Sequence, residues 1–169
     1  MRTALAVIAA VLVATPSLAQ DKPDFTGSWK LNAEKSDAPA QMGGGRPGGG
    51  RGMGGRMGPA TEVHATQTGD KLLLDQKMGD QSRLLTFYLD GRENRNPGMR
   101  NSEMVSKARW DGASLVIEGS MSFEGPNGSV TITTREVRTL SDDGRTMTVV
   151  TATTTPRGEN TRKAVYDKQ

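Results

Sequence analysis

The chain has no cysteine and a single histidine, His64, among its 169 residues. The first absence excludes disulfides, thiolate metal sites and a cysteine-linked lipid anchor, so the folded part must stand on its own core. The second leaves any histidine-based catalytic triad resting on His64. No nucleophile motif lies near it in Thr61-Glu62-Val63-His64-Ala65-Thr66, and it is expected to be structural or solvent-facing. Aromatics are scarce too. Phe25, Trp29, Phe87, Tyr88, Trp110, Phe123 and Tyr166 are all seven, and they must serve both a core and any pocket. No stretch after the N-terminal segment carries a helical period, and no cofactor motif is recognisable, so no cofactor is expected.

Long apolar runs are equally absent. The run from Ala4 to Ala14 follows one positive charge and precedes the small-x-small pattern Ser17-Leu18-Ala19. At roughly 11 residues it falls well short of the ~20 that a spanning helix needs. It predicts a secretory signal over residues 1–19, cleaved after Ala19, and hence a periplasmic or secreted bacterial protein with no transmembrane segment after cleavage. The remaining chain, 20–169, fits one domain, expected to be monomeric. Without Arg2 it holds 21 basic and 19 acidic side chains, and three of the basic ones, Arg46, Arg51 and Arg56, lie in a segment with no acid. That leaves 18 against 19, so the basic pI describes one loop and not the domain surface.

What is present is strand pattern. Phe25, Gly27, Trp29 and Leu31 alternate with Thr26, Ser28, Lys30 and Asn32, the period of a strand with one buried face. After Lys35-Ser36-Asp37 comes 38–60, where ten of the sixteen residues from Gly43 to Gly58 are glycine. Such a segment buries almost nothing and is expected to be a long flexible loop rich in Gly, Arg and Met. From Thr61 on, alternating runs are punctuated by Gly69-Asp70, Gly79-Asp80, Asp90-Gly91, Asp111-Gly112, Gly125-Pro126-Asn127-Gly128, Asp142-Asp143-Gly144 and Pro156-Arg157-Gly158. Leu115, Ile117, Gly119, Met121 and Phe123 make the clearest half-buried face. Val130 and Ile132 share one parity while Val137 takes the other, which predicts a β-bulge near Thr134 or Arg135. The fold expected is all-β: an antiparallel up-and-down meander of eight or nine strands closed into a barrel, since closure removes both open edges. A two-sheet sandwich is the alternative.

Gly27-Ser28-Trp29 matches the Gly-x-Trp motif on the first strand of lipocalins and related calycin barrels. The wider pattern Phe25-x-Gly27-x-Trp29-x-Leu31-Asn32-x-x-Lys35-Ser36-Asp37 resembles a group of uncharacterised exported bacterial proteins with lipocalin-like barrels. Trp110-Asp111-Gly112 before Leu115-Val116-Ile117, and Leu140-Ser141-Asp142-Asp143-Gly144 before a Thr/Val strand, extend the likeness over most of residues 24–167. The resemblance implies that Trp29, with Gly27, closes one barrel end and packs on a basic residue from a late strand, Arg162 or alternatively Arg138. It also implies that 38–60 is a lid or fringe at the opposite mouth.

A ligand-binding barrel lines its cavity with apolar groups and a few polar ones. The inward set expected here is Leu72, Leu74, Tyr88 (or Phe87), Trp110, Leu115, Ile117, Met121 and Met147, with a solid core as the competing arrangement. Met42, Met53 and Met57 with His64 raise a Cu(I) site, but the interleaved arginines oppose cation binding, and no metal is expected. Arg46, Arg51 and Arg56 form an anion-contact loop suited to anionic envelope components; export makes RNA an unexpected partner. Glu103, Glu118, Glu124 and Glu136 could supply paired carboxylates, but sequence assigns no pair a separation. The function expected is therefore an exported, non-catalytic barrel for a small apolar or amphipathic molecule. The alternatives are an envelope interaction or stress module and an enzyme with a carboxylate or arginine site, marked by an exposed apolar patch or by convergent interior acids respectively.

Overall fold

A computed structural model describes residues 22–38, 58–98, 101–125 and 128–169. The signal segment, the arginines Arg46, Arg51 and Arg56, and Met42, Met53 and Met57 lie outside the described residues. The described chain is all-β and forms ten strands: β1 (Gly27–Leu31), β2 (Glu62–Thr68), β3 (Lys71–Met78), β4 (Gln81–Tyr88), β5 (Asp90–Pro97), β6 (Glu103–Asp111), β7 (Ser114–Gly125), β8 (Gly128–Leu140), β9 (Thr146–Thr155) and β10 (Gly158–Lys168). They make one antiparallel sheet in the order β4-β3-β2-β1-β10-β9-β8-β7-β6-β5, with β1 and β10 paired so that the meander curls into a nearly closed barrel. A sandwich would need two sheets. The tight turns fall where the glycine signals place them; Gly112, for example, reaches a φ of 58°.

The tenth strand is β5, whose sequence Asp-Gly-Arg-Glu-Asn-Arg-Asn-Pro has no apolar alternation to announce it. It closes the barrel by a different chemistry. β4 and β5 are the two ends of the hydrogen-bonded order and share no backbone ladder, yet Asn94 and Asn96 of β5 are buried between them. The Thr86 N–H donates to Asn96 Oδ1 at 2.7 Å and Asn96 Nδ2 donates to the Thr86 carbonyl at 2.9 Å. Asn94 repeats this two residues on, accepting from the Tyr88 N–H at 2.7 Å and donating to its carbonyl over a longer 3.4 Å. A side-chain amide carries the same donor and acceptor as a peptide, so the two asparagines stand in for a missing strand edge.

The expected bulge near Thr134 is not there. β8 pairs with β7 from Arg138↔Leu115 to Gly128↔Gly125, and with β9 from Thr133↔Thr154 to Leu140↔Met147, without a skipped residue. Val137 faces outward because the inward positions beside it hold Glu136 and Arg138. An inward ion pair, not a bulge, accounts for the parity change. The register shift lies instead between Asp90 and Glu93 on β5.

The Asn32-x-x-Lys35-Ser36-Asp37 pattern clips the chain to β10 beyond the end of β1. Ser36 Oγ accepts from the Val165 N–H at 2.9 Å, Asp37 Oδ2 accepts from the Lys163 N–H at 2.6 Å, and Asp37 N–H donates to the Lys163 carbonyl at 2.9 Å. Asn32 Nδ2 and the Lys35 ammonium both reach Asp167. The segment thus leaves the barrel beside Lys163 and re-enters at Thr61, whose N–H bonds the Lys77 carbonyl. Both points belong to the end that also carries the β3–β4, β7–β8 and β9–β10 turns, which we call the mouth.

Candidate functional site: the mouth half of the barrel interior

The two halves of the interior differ. At the end opposite the mouth, Phe25 stacks on Trp110 with centroids 6.0 Å apart and planes 16° apart. Trp29, 1% exposed, donates from Nε1 to the Phe25 carbonyl at 2.9 Å. The cation over its ring is Lys168, 5.2 Å from the centroid, and neither Arg162 nor Arg138. The register explains this: Trp29 pairs with Lys168, and Arg162 lies six residues away on β10, about 20 Å along a strand. Gly27 fits the same arrangement. Its φ is +145°, and a Cβ there would come within 2.7 Å of Lys168 Cε, so a side chain would displace the lysine stem.

Of the inward set expected from sequence, Leu72, Leu74, Leu115 and Met147 are 0% exposed. They are sealed from solvent, so they fill the closed end and line no accessible space. Trp110 is taken up by its stack on Phe25. Tyr88 is on the outer face, where Arg92 lies 4.3 Å and Lys71 Nζ 5.9 Å from its ring; Phe87 is the buried neighbour. Ile117 and Met121 do face the interior above this floor and remain candidates. His64 is exposed on the outer face and bonded through Nδ1 to Ser28 Oγ at 2.9 Å.

The mouth half is built from successive inward rows. Arg162, Thr151, Glu136 and Ile117 align across β10, β9, β8 and β7; Thr153, Thr134, Gly119 and Ser106 form the next row; Ile132, Met121 and Met104 follow. Most of these side chains are half-buried where their counterparts below are sealed. Sequence reasoning named Glu136, Arg138 and Arg162 singly but did not bring them together in the interior, and it missed Arg83. Arg138, with its side chain 3% exposed, donates from Nε to Glu136 Oε1 at 2.6 Å and approaches Met147 Sδ at 3.9 Å. Arg83 enters from β4 with a buried Nε that has no hydrogen-bond partner among the described residues. Desolvation lowers its pKa, and the nearby Glu136 carboxylate opposes the shift. Burial pushes the Tyr166 phenol up to about 12, with Arg138 opposing and Glu136 reinforcing, so it stays neutral at physiological pH. The signal available in sequence was the charged break in the β8 alternation, read there as a bulge.

Glu136→Gln is expected to lower the unfolding free energy by about 3–5 kcal/mol, because it strands the buried Arg138 guanidinium. Urea denaturation checks this, and the double change Glu136→Leu/Arg138→Met should recover most of the loss.

Two surface depressions lie outside this interior. One of about 380 Å³ lies around Gly119, and five of its eight lining residues, Val105, Lys107, Glu118, Ser120 and Thr133, point outward from the barrel. The other, about 320 Å³, is formed by Arg95, Asn96, Pro97, Asn101, Ser102 and Glu103 beside the β5–β6 turn. Both are open to solvent. Among the described residues no three His, Asp or Glu side chains converge as metal ligands, and Glu136 is the one inward acid.

No protein-family model and no curated protein matches the chain. Among solved structures it is similar to zebrafish ileal bile acid-binding protein complexed with cholic acid, at 14% identity and a TM-score of 0.57, over 86% of this chain and 98% of that one. A secretory abundant heat soluble protein from Ramazzottius varieornatus matches at 19% identity over 64% of this chain and 70% of that one, with a TM-score of 0.47. The first likeness shows the fold: a ten-stranded lipocalin-like barrel of the calycin kind.

Proposed function

We propose that the protein is an exported, non-catalytic barrel that binds a small apolar or amphipathic molecule in the mouth half of its interior. The observation that carries this reading is the asymmetry of the inner wall. Packed rings and aliphatic side chains seal one end, whereas Met104, Ile132 and Val130 at the other face inward yet remain partly exposed. Apolar side chains turned into a barrel and left uncovered are the lining of a binding site more than of a core. The similar zebrafish barrel is a bile acid-binding protein, which fits this use of the fold. A signal over residues 1–19 would direct the barrel to the periplasm or outside the cell.

Native mass spectrometry of protein purified from its own host is expected to show a co-purifying small lipophilic adduct that organic extraction removes. An adduct-free spectrum, together with no saturable binding of a neutral lipophilic dye, would overturn the reading.

A further inference from the structure

The described charges that face the interior above the closed end are unequal. Arg83, Arg138 and Arg162 stand against Glu136 alone, an excess of two positive charges among inward side chains that are buried or half-buried. Glu136 is already committed, its Oε1 being held by Arg138 Nε at 2.6 Å. Arg162 is itself partnered. Arg83 is different: its Nε is shut away from solvent and meets no acceptor among the described residues. A buried donor without a partner is costly, and more so when it is charged, so the folded chain carries this group at the expense of its stability.

Resting on the reading above, we propose that Arg83 is the receptor for the head of the bound molecule, and that this molecule is an amphiphile ending in a carboxylate. A guanidinium offers parallel N–H donors that match the two oxygens of a carboxylate, whereas a neutral acceptor leaves its charge uncompensated. Arg83 sits two residues inside β4 from the β3–β4 turn, on the mouth side of Leu85 and Phe87, so a head at Arg83 is reached from the mouth. The tail then has Met104, Met121 and Ile132 on strands β6 to β8 to lie against.

The test uses the full exported chain and two probes with one fluorophore and one tail: dansylaminoundecanoic acid and its methyl ester. The acid is expected to bind at least about tenfold more tightly than the ester. Arg83→Gln should bring the acid down to the affinity of the ester while leaving the ester unchanged, and should melt no lower than the parent chain. Arg83→Lys, which keeps the charge and loses the fork, should fall between. Equal affinity for acid and ester in the parent chain, or a preference that survives Arg83→Gln, overturns the assignment of the head and leaves lumenal binding standing. Failure of both probes to bind overturns the assignment and the proposed function together.

Discussion

Trp29→Ala is expected to lower the unfolding free energy by about 3–5 kcal/mol, the usual range for emptying a buried aromatic site. Against a total of roughly 5–15 kcal/mol for a domain, that is a large share. Three losses coincide. The ring is 1% exposed within the closed-end core, so its removal leaves a cavity bounded by rigid strands. The Phe25 carbonyl loses the Nε1–H donor at 2.9 Å, and Lys168 loses the aromatic face beneath it. Two milder changes separate the contributions. Lys168→Ala removes a partly solvated cation–π contact and should cost only about 0.5–1 kcal/mol. Trp29→Phe keeps most of the packing but not the donor and should fall between. Urea denaturation followed by far-ultraviolet circular dichroism measures all three, and a loss below about 1 kcal/mol for Trp29→Ala would show that Trp29 does not plug the barrel.

The second large effect is expected at the seam. Replacing Asn94 and Asn96 together by alanine removes the amides that pair with Thr86 and Tyr88, leaving both N–H groups and both carbonyls of β4 without their side-chain partners. Each stranded buried group costs about 1–3 kcal/mol, so the double variant should lose several. It should also lose it locally. Hydrogen exchange at the Thr86 and Tyr88 amides should accelerate well beyond that of amides in the continuous β7–β8 and β9–β10 ladders, because the seam can part while those stay paired. Uniform acceleration over the whole sheet would mean that the asparagines stabilise the barrel only globally and do not hold the seam. Aspartate at either position keeps the acceptor and loses the donor, so Asn96→Asp should recover part of the effect.

Much of the architecture was legible because a strand with one buried face writes its orientation into alternate residues. Phe25, Trp29 and Leu31 predicted β1, and Leu115 to Phe123 predicted β7, before any pairing was known. The turn glycines divided the strands, and short connections pointed to a meander. β5 escaped because its inward positions are asparagines, which bond to a neighbouring backbone instead of burying apolar area, and no hydropathy pattern records that. The break in β8 was visible as a change of parity, but a bulge and an inward ion pair produce the same pattern in one dimension. Only the unbroken register with β7 and β9 separates them.

The candidate site was less legible for a related reason. Hydropathy ranks Leu72, Leu74, Leu115 and Met147 as lining residues, yet height along the barrel axis decides whether an inward side chain fills the floor or faces the mouth. Height follows from strand stagger, a property of the closed sheet. The same holds for Arg83 and Glu136, which come from strands far apart in the order and influence each other's charge across the interior. Local periodicity by itself determined that this chain is an antiparallel β meander opening on a Gly-x-Trp strand, because alternation and turn chemistry act between neighbours in sequence. Tertiary structure alone decided that Lys168 covers Trp29, that two asparagines close the seam, and that an arginine with a buried Nε unbonded among the described residues stands near the mouth. Those three depend on register and closure, which bring together residues that no sequence window holds.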